Sequence, residues 1–109
     1  MLTEGDKMEI NLIFEEIKAK MKIDGVISSD NSYLFQEELN KVLENKSIVL
    51  LEIDLSTCRN IGSSGIGKLL IFYKEFMTRE GEIEISKSSP SIYELFTTIK
   101  LDQLFTINL

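Results

Sequence analysis

One segment of the sequence holds residues suited to chemistry, a pair of serines enclosed by glycines. Ser63 and Ser64 follow Gly62 and are followed in turn by Gly65 and Gly67. Glycines permit a tight turn and the close approach of another backbone, and the first residues of a helix expose N–H groups without an intrahelical partner. Because such a helix start favours anions, a phosphate on a serine here would be accommodated without melting the helix. On chemistry alone, a helix N-cap flanked by glycines explains these residues better than a phosphorylation site does.

The residue types that the chain lacks exclude most catalytic classes. It contains no histidine, which removes the commonest general base, the Ser-His-Asp triad and the imidazole ligands of metal sites. The single cysteine, Cys58, has no second thiol for a disulfide, a redox pair or a metal site, so we interpret it as a small loop or core residue. The glycines at 62, 65 and 67 match neither the Rossmann nor the P-loop spacing. We therefore expect no enzymatic activity and no bound cofactor or metal.

Composition bounds the class of protein. The chain has 109 residues, 43% of them hydrophobic, which suits one domain with its own core. A net charge of −6 without a cluster of lysines and arginines disfavours binding to nucleic acids and anionic membranes. No apolar run approaches the roughly 20 residues of a membrane-spanning helix, and residues 1–7 lack the basic and apolar regions of a signal peptide. We expect a cytoplasmic protein that does not insert into membranes.

The elements that precede the serines are predicted from the spacing of apolar residues. Apolar and polar residues alternate at 8–14 and at 17–23, which predicts two strands, the second with lysines on its water-facing side. The polar cluster that follows is rich in helix N-cap residues, and the spacing after it predicts a first helix over residues 31–45. The nearly continuous apolar run at 48–53 predicts a central strand covered on both faces.

After the central strand, residues 56–62 are interpreted as a loop, and the serines open a second helix that ends before Gly81. Ser89-Pro90 supplies an N-cap followed by a proline at the first position of a third helix. A short strand at 83–85 precedes that helix, and a final strand is predicted at 104–109. The buried stripes of the second and third helices are predicted to be Ile66, Leu69, Leu70, Tyr73, Phe76 and Met77, and Ile92, Leu95, Phe96 and Ile99.

The order of these elements defines the expected fold class. Two strands followed by three helix-strand units call for mostly parallel strands joined by right-handed helical crossovers. We therefore predict an α/β sandwich in which a mostly parallel sheet of four to five strands carries three main helices. No linker, repeat or low-complexity segment divides the chain. Residues 8–109 are predicted to form one domain after a short tail at 1–7.

The segment around the serines also resembles a known family. It begins Asp54-Leu55-Ser56 and continues Gly62-Ser63-Ser64-Gly65-Ile66-Gly67-Lys68-Leu69-Leu70, which is similar to the strand, loop, Asp-Ser-Ser-Gly-Leu-Gly and helix of STAS domains of the anti-sigma factor antagonist type. The resemblance extends from the lysine-edged strand through Gly25 and the first helix to Ser89-Pro90-Ser91, and leaves only the N-terminal tail outside. It implies a STAS-like fold and a regulatory domain that works by binding a protein partner.

The resemblance also implies a mechanism of regulation. In anti-sigma factor antagonists, the first serine of the motif is phosphorylated by the anti-sigma factor, itself a serine kinase, and phosphorylation releases that partner. This role falls on Ser63. The family's aspartate just before the serine is replaced here by Gly62, which removes a negative charge and a hydrogen-bond acceptor that could orient the hydroxyl. Two alternatives stay open: Ser63 is a phosphorylated switch, or the domain binds its partner without this regulation.

A partner-binding surface is predicted around the start of the second helix. At about 100° per residue, Ile71 lies nearly opposite the apolar stripe and should face outward, one turn from Gly67. Tyr33, off the apolar face of the first helix, has a similar but weaker claim. The polar loop at 28–31 follows a strand at the sheet edge where α/β folds usually carry their sites. The predicted partner-binding residues are Ser28, Ser29, Asp30, Asn31, Gly62, Ser63, Ser64, Gly65, Gly67 and Ile71.

Two other functions compete with this one. Asp54 ends a strand as the phosphorylated aspartate of a response-regulator receiver would. Such a site also needs an acidic pair to hold Mg²⁺. The nearest equivalent here is Glu15-Glu16, which falls before the lysine-edged strand. We interpret Asp54 instead as bonding to the backbone of its turn. Within the STAS resemblance, the alternative is a non-phosphorylated accessory or scaffold subunit of a transport, lipid-trafficking or signalling complex. The expected oligomeric state is a monomer or a weak homodimer.

Overall fold

Strands and helices alternate along the part of the chain that the computed structural model describes, residues 7–109. The strands are β1 (Met8–Glu15), β2 (Lys18–Ile27), β3 (Leu50–Leu55), β4 (Cys58–Ile61), β5 (Glu82–Ser88) and β6 (Thr106–Ile107). The helices are α1 (Ser32–Glu44), α2 (Ser63–Met77) and α3 (Pro90–Thr98), and a short 3₁₀ helix spans Leu101–Gln103. Apart from Lys7, the predicted N-terminal tail lies outside the described residues.

The strands form one mixed sheet with the order β1-β2-β3-β5-β6. β1 pairs with β2 as an antiparallel hairpin, whereas β3, β5 and β6 run parallel to their neighbours. Parallel neighbours need long crossover connections, which α1 and α2 supply on either side of β3. The predicted α/β class, with a mostly parallel sheet and three helices, is confirmed.

The interpretation of residues 56–62 as a loop is wrong in part, because they contain β4. This short strand pairs in parallel with the last part of β2, where Ile27 lies opposite Ile61. β2 therefore continues beyond Ile23, where the alternation in the sequence stopped. It passes through Gly25, whose φ of 100° and lack of a side chain let the carbonyl oxygen of Lys7 come within 1.9 Å of where a Cβ would be.

The prediction that β3 is covered on both faces is also wrong. Leu51, Ile53 and Leu55 are buried, whereas Glu52 and Asp54 between them are only partly buried. The buried residues of β2 and β5 lie on the same face, and with those of the three helices they form one core cluster. The opposite face is charged, and it includes the ion pair of Lys18 with Glu52 at 2.8 Å. Hydrophobic burial thus holds all three helices to one face of the sheet.

The predicted helix stripes need two corrections. Met77 is exposed at the end of α2, and Phe72 is buried instead, stacked on Phe76 with ring centroids 4.9 Å apart. Ile99 is exposed because α3 ends at Thr98. The N-terminus of α3 follows the prediction, since Ser89 is its N-cap and accepts a hydrogen bond from the backbone N–H of Ile92.

Polar contacts tie α1 and α2 together at both ends. At the C-terminal end, the Arg79 guanidinium donates to the backbone oxygens of Val42 at 2.9 Å and Leu43 at 3.1 Å, which caps the last turn of α1. At the N-terminal end, the hydroxyls of Ser32 and Ser64 are 2.6 Å apart in a hydrogen bond. The two helix N-termini are therefore held side by side, and the candidate site lies there.

Candidate functional site

The carboxyl ends of β2 and β4 meet the N-termini of α1 and α2 at one edge of the sheet. Ile27 and Ile61 are the last residues of these two paired strands. The loop at 28–31 follows the first, and Gly62 follows the second and donates its N–H to the Ile27 oxygen at 2.8 Å. Parallel pairing of β2 and β4 is thus what brings the two predicted parts of the site together.

The loop at 28–31 is held by a buried side chain. The carboxamide oxygen of Asn31 accepts from the backbone N–H of Ser28 at 2.8 Å, and its Nδ2 donates to the Val26 oxygen at 2.9 Å. Only 1% of Asn31 is exposed. The side chain therefore points inward and fixes the shape of the loop, while the predicted partner contact of Asn31 stays a prediction. Ser29 and Asp30 remain exposed.

The two serines of the motif differ in their surroundings. Ser63, the first residue of α2, is exposed as predicted. Ser64 is partly buried and its hydroxyl is engaged with Ser32. At the helix N-terminus, the unpaired N–H groups and the macrodipole favour negative charge near Ser63. Ser63 is thus the more accessible of the two hydroxyls for modification.

A shallow cavity of about 300 Å³ lies beside Ser63. Its lining includes five of the predicted site residues, and the whole set is Val26, Ile27, Ser28, Ser29, Asn60, Gly62, Ser63 and Ser64. The sequence pattern does not indicate Asn60, because β4 lacks the alternation that predicts a strand. The polar type of Asn60, one residue before the end of a strand at this edge, was the only signal in the sequence that could have indicated it.

The two later glycines of the motif have different structural roles. Gly65 is buried, and a Cβ there would lie 2.7 Å from Cγ2 of Ile27 and 2.8 Å from Cγ1 of Ile61. Its absent side chain lets α2 pack closely on β2 and β4, which gives Gly65 a packing role, while its predicted partner contact stays a prediction. A Cβ at Gly67 would meet nothing within 4 Å. Close packing within the domain therefore does not require glycine at position 67.

Ile71 extends the site along α2. It is 65% exposed, which confirms its predicted outward orientation. Ser63, Gly67 and Ile71 follow one another at intervals of four residues, so they lie along one side of the helix. Tyr33 is exposed near the start of α1, next to the serine that bonds Ser64. This side of α2 therefore combines a glycine, which has no side chain, with a large exposed apolar side chain.

Asp54 lies outside this surface, on the charged face of the sheet. Its Oδ1 accepts from the backbone N–H of Ser56 at 2.8 Å, which confirms the predicted role in the turn. Burial opposes ionisation, but the hydrogen bonds from Ser56 and the charges of Lys22 and Lys87 outweigh it, and the pKa of Asp54 lies below its ordinary value. The carboxylate is therefore ionised at neutral pH and committed to its turn.

Cys58 is fully buried in the core, as predicted, and burial raises the pKa of its thiol to about 11. The reactive thiolate is therefore scarce near neutral pH. We expect a disulfide reagent such as DTNB to label Cys58 slowly in the native protein and rapidly in denaturant, where the pKa returns to about 8.5. Rapid labelling of the native protein would show that β4 does not shield the thiol.

Residues 7–109 contain no group of three or more Asp, Glu, Cys or His side chains placed to hold a metal ion. Within the same residues, no helix is long and apolar enough to cross a membrane.

Comparison with known proteins identifies the class of protein. Residues 12–109 match the STAS domain family model, so the chain belongs to the STAS domain family. Among solved structures, an anti-sigma factor antagonist from Mycobacterium paratuberculosis superposes with a TM-score of 0.84 at 20% identity, covering 98% of this chain and 90% of that one. SpoIIAA, an anti-sigma factor antagonist, matches in its unphosphorylated form with a TM-score of 0.78 at 13% identity, covering 93% and 89%.

A further structure, described as the Bacillus cell fate determinant SpoIIAA in its phosphorylated form, matches with a TM-score of 0.73 at 13% identity, covering 93% of this chain and 92% of that one. At these identities the likeness shows the fold.

Proposed function

We propose that this chain is an anti-sigma factor antagonist that acts in the cytoplasm and binds an anti-sigma factor serine kinase through the surface around Ser63, until phosphorylation of Ser63 releases it. The observation that carries the proposal is the accessibility of Ser63 at the start of α2, beside a cavity, while the Ser64 hydroxyl is engaged with Ser32. The phosphorylated SpoIIAA structure supports the view that this fold tolerates a phosphate. The proposed contact surface comprises Ser28, Ser29, Asp30, Gly62, Ser63, Ser64, Gly67 and Ile71, with Asn31 and Gly65 holding its shape.

Electrostatics explains how phosphorylation could release a partner without unfolding the domain. A phosphoserine adds about −1.5 to −2 charge at neutral pH. Within the domain, the N-terminus of α2 stabilises such a charge by about 0.3 to 1 kcal/mol. At a closed interface, an uncompensated buried charge costs about 3 to 5 kcal/mol. The same modification is therefore favourable for the free module and unfavourable for the complex.

Gly62 does not obstruct this mechanism. Its φ of −83° is available to any residue, and a Cβ there would lie 3.7 Å from the Ile27 oxygen, an ordinary contact. An aspartate would therefore fit at this position. It would also cap α2, whose N-cap makes no side-chain hydrogen bond in this chain.

Mass spectrometry tests the proposal directly. The native protein is purified with its bound partners, and the kinase that co-purifies is incubated with the chain and ATP. We expect phosphate on Ser63, none in the variant Ser63→Ala, and retention in the matched variant Ser64→Ala. Gly62→Asp should be modified faster if the carboxylate assists transfer. Phosphate on Ser64 or Thr57 alone would contradict the assignment.

The variant Ser63→Asp separates binding from stability. We expect its melting temperature to stay close to that of the wild type, because a negative charge suits the start of α2. Binding to the co-purified kinase should weaken, although a single carboxylate imitates a phosphate only in part. Thermal unfolding and surface plasmon resonance measure the two quantities. A variant that unfolds early but binds normally would contradict the proposed mechanism.

Gly62 favours one alternative, a STAS subunit that binds without phosphorylation in a transport, lipid-trafficking or signalling complex. Without the family's aspartate, the chain lacks a carboxylate beside Ser63. The same co-purification distinguishes the two functions. The accessory subunit would be favoured if the partner were a membrane ATPase and if neither the wild type nor the Gly62→Asp variant carried phosphate.

A further inference from the structure

The two edges of the sheet are protected to very different degrees. At one edge, β6 has only two residues. At the other, β1 has eight, and within residues 7–109 it pairs only with β2, in a register without a bulge. Proteins usually protect a long edge strand with proline, charged side chains, a bulge or a cover. β1 contains no proline, and its two charged residues, Glu9 and Glu15, leave residues 10–14 without a charge, so this part of its outer edge is able to accept another strand.

Apolar side chains are exposed along this edge. Ile13 is 58% exposed, Phe14 is 41% exposed and Ile17, in the turn after the strand, is 53% exposed. Ile13 lies on the charged face of the sheet, opposite Lys20 of β2, and Phe14 lies on the helix face, opposite Ala19. Both faces of the strand therefore carry an apolar residue that the chain itself leaves partly uncovered.

We propose that the outer edge of β1 binds the same edge of a second copy of the chain, so that the two sheets join through an antiparallel, two-fold symmetric pair of strands. Residues opposite each other in an antiparallel pair point to the same face. The two cores stay on one face of the joined sheet only if a residue at the centre of β1 lies opposite the same residue of the other copy. The central candidates are Asn11 and Leu12.

Charge selects between these two registers. Centring on Leu12 places Glu9 opposite Glu15 twice, and like charges directly opposite each other are destabilising. Centring on Asn11 instead places Glu9 opposite Ile13, and it places Glu15, which already pairs with Lys20 at 3.2 Å within the chain, opposite Lys7. The register centred on Asn11 therefore removes the two repulsions, and we assign it to the dimer.

The helix face fits the same register. There, Phe14 of one copy lies opposite Met8 of the other, and Leu12 lies opposite Ile10. Met8 and Ile10 line a groove of about 170 Å³ between β1 and α1, together with Leu34, Glu37 and Glu38. In the dimer, the ring of Phe14 lies over the apolar wall of this groove in the other copy.

The interface is small, since it consists of one strand and its neighbours on each side. Interfaces of this kind fall in the class that buries less than about 1,200 Å² and associates weakly. The dimer therefore dissociates on dilution. The surface around Ser63 lies on other elements, so dimerisation and the proposed phosphorylation are tested independently.

Sedimentation velocity of the full chain over a series of concentrations tests the dimer. We expect the wild type to pass from monomer to dimer as the concentration rises. Ile13→Glu should weaken association by about tenfold, because it sets two pairs of like charges opposite each other. Within the chain the new carboxylate faces Lys20, so the fold is retained. Ile99→Glu, an equal charge change at an exposed isoleucine elsewhere, should dimerise like the wild type.

The double variant Glu9→Lys with Ile13→Glu restores opposite charges across the proposed interface, and we expect it to recover dimerisation. Its new lysine faces Asp24 within the chain, which again preserves the fold, as circular dichroism would show. A wild type that stays monomeric at every concentration would overturn the proposal. Equal association of the Ile13→Glu and Ile99→Glu variants would overturn it too. If the double variant failed to recover dimerisation, the assigned register would be wrong.

Discussion

Replacement of Gly65 by alanine is expected to lower the free energy of unfolding by about 1 to 3 kcal/mol, as overpacking of a well-packed core does. The added methyl group would lie 2.7 Å from Ile27 and 2.8 Å from Ile61, whereas carbon atoms in contact prefer about 3.5 to 4.0 Å. Both isoleucines are buried in the core, so a shift of either side chain disturbs its core neighbours. Urea denaturation followed by circular dichroism would measure the change.

The matched control is the same substitution at Gly67, with the opposite expected sign. A Cβ at this position meets nothing within 4 Å, and alanine is favoured over glycine inside a helix by about 0.5 to 1 kcal/mol. Gly67→Ala should therefore raise the urea midpoint while Gly65→Ala lowers it. Equal effects of the two variants would contradict the packing role assigned to Gly65.

This pair of variants also separates folding from binding. Gly65 positions the start of α2 on β2 and β4, so its substitution should disturb Ser63 through the fold. Gly67 has no such role, and its substitution in a more stable domain should affect only a partner that approaches the helix closely. Weaker partner binding by Gly67→Ala, without loss of stability, would place position 67 in the interface.

Local patterns in the sequence predicted most of the fold correctly. The alternation of lysines with Ala19 and Met21 predicted β2, and Ser89-Pro90 predicted the start of α3, because these signals depend on neighbouring residues only. The helical spacing of Ile99 predicts that it belongs to the buried stripe of α3. The helix nevertheless ends before it, and Lys100 takes a positive φ of 65°, which the spacing of apolar residues does not reveal.

The errors at the site arise from contacts between residues distant in sequence. β4 has four residues, with Cys58 and Ile61 buried and the two between them exposed, so it shows no strand period. It is a strand because it pairs with β2. Asn31 is one polar residue in a polar cluster, and only the fold shows that it turns inward to Val26. In contrast, the exposure of Ile71 follows from helical spacing alone and was predicted correctly.

The second large effect is expected at Ile71, where substitution by aspartate should weaken partner binding by more than tenfold. Ile71 is exposed on the same side of α2 as Ser63 and Gly67, so a partner that covers the helix start also covers this side chain. Truncation of a hot-spot residue costs about 2 kcal/mol or more, and a carboxylate enclosed without a counter-charge adds a desolvation cost.

Titration of the purified partner against the wild type, Ile71→Ala and Ile71→Asp measures this effect by surface plasmon resonance. The alanine variant keeps the helix and loses only the apolar contact, so its affinity should lie between the other two. Ile99→Asp, at another exposed isoleucine, is the matched control and should bind like the wild type while sharing the same change in net charge. If Ile71→Asp stays folded by circular dichroism and binds as tightly as this control, Ile71 lies outside the interface. The contact surface is then confined to the helix start and the loop at 28–31.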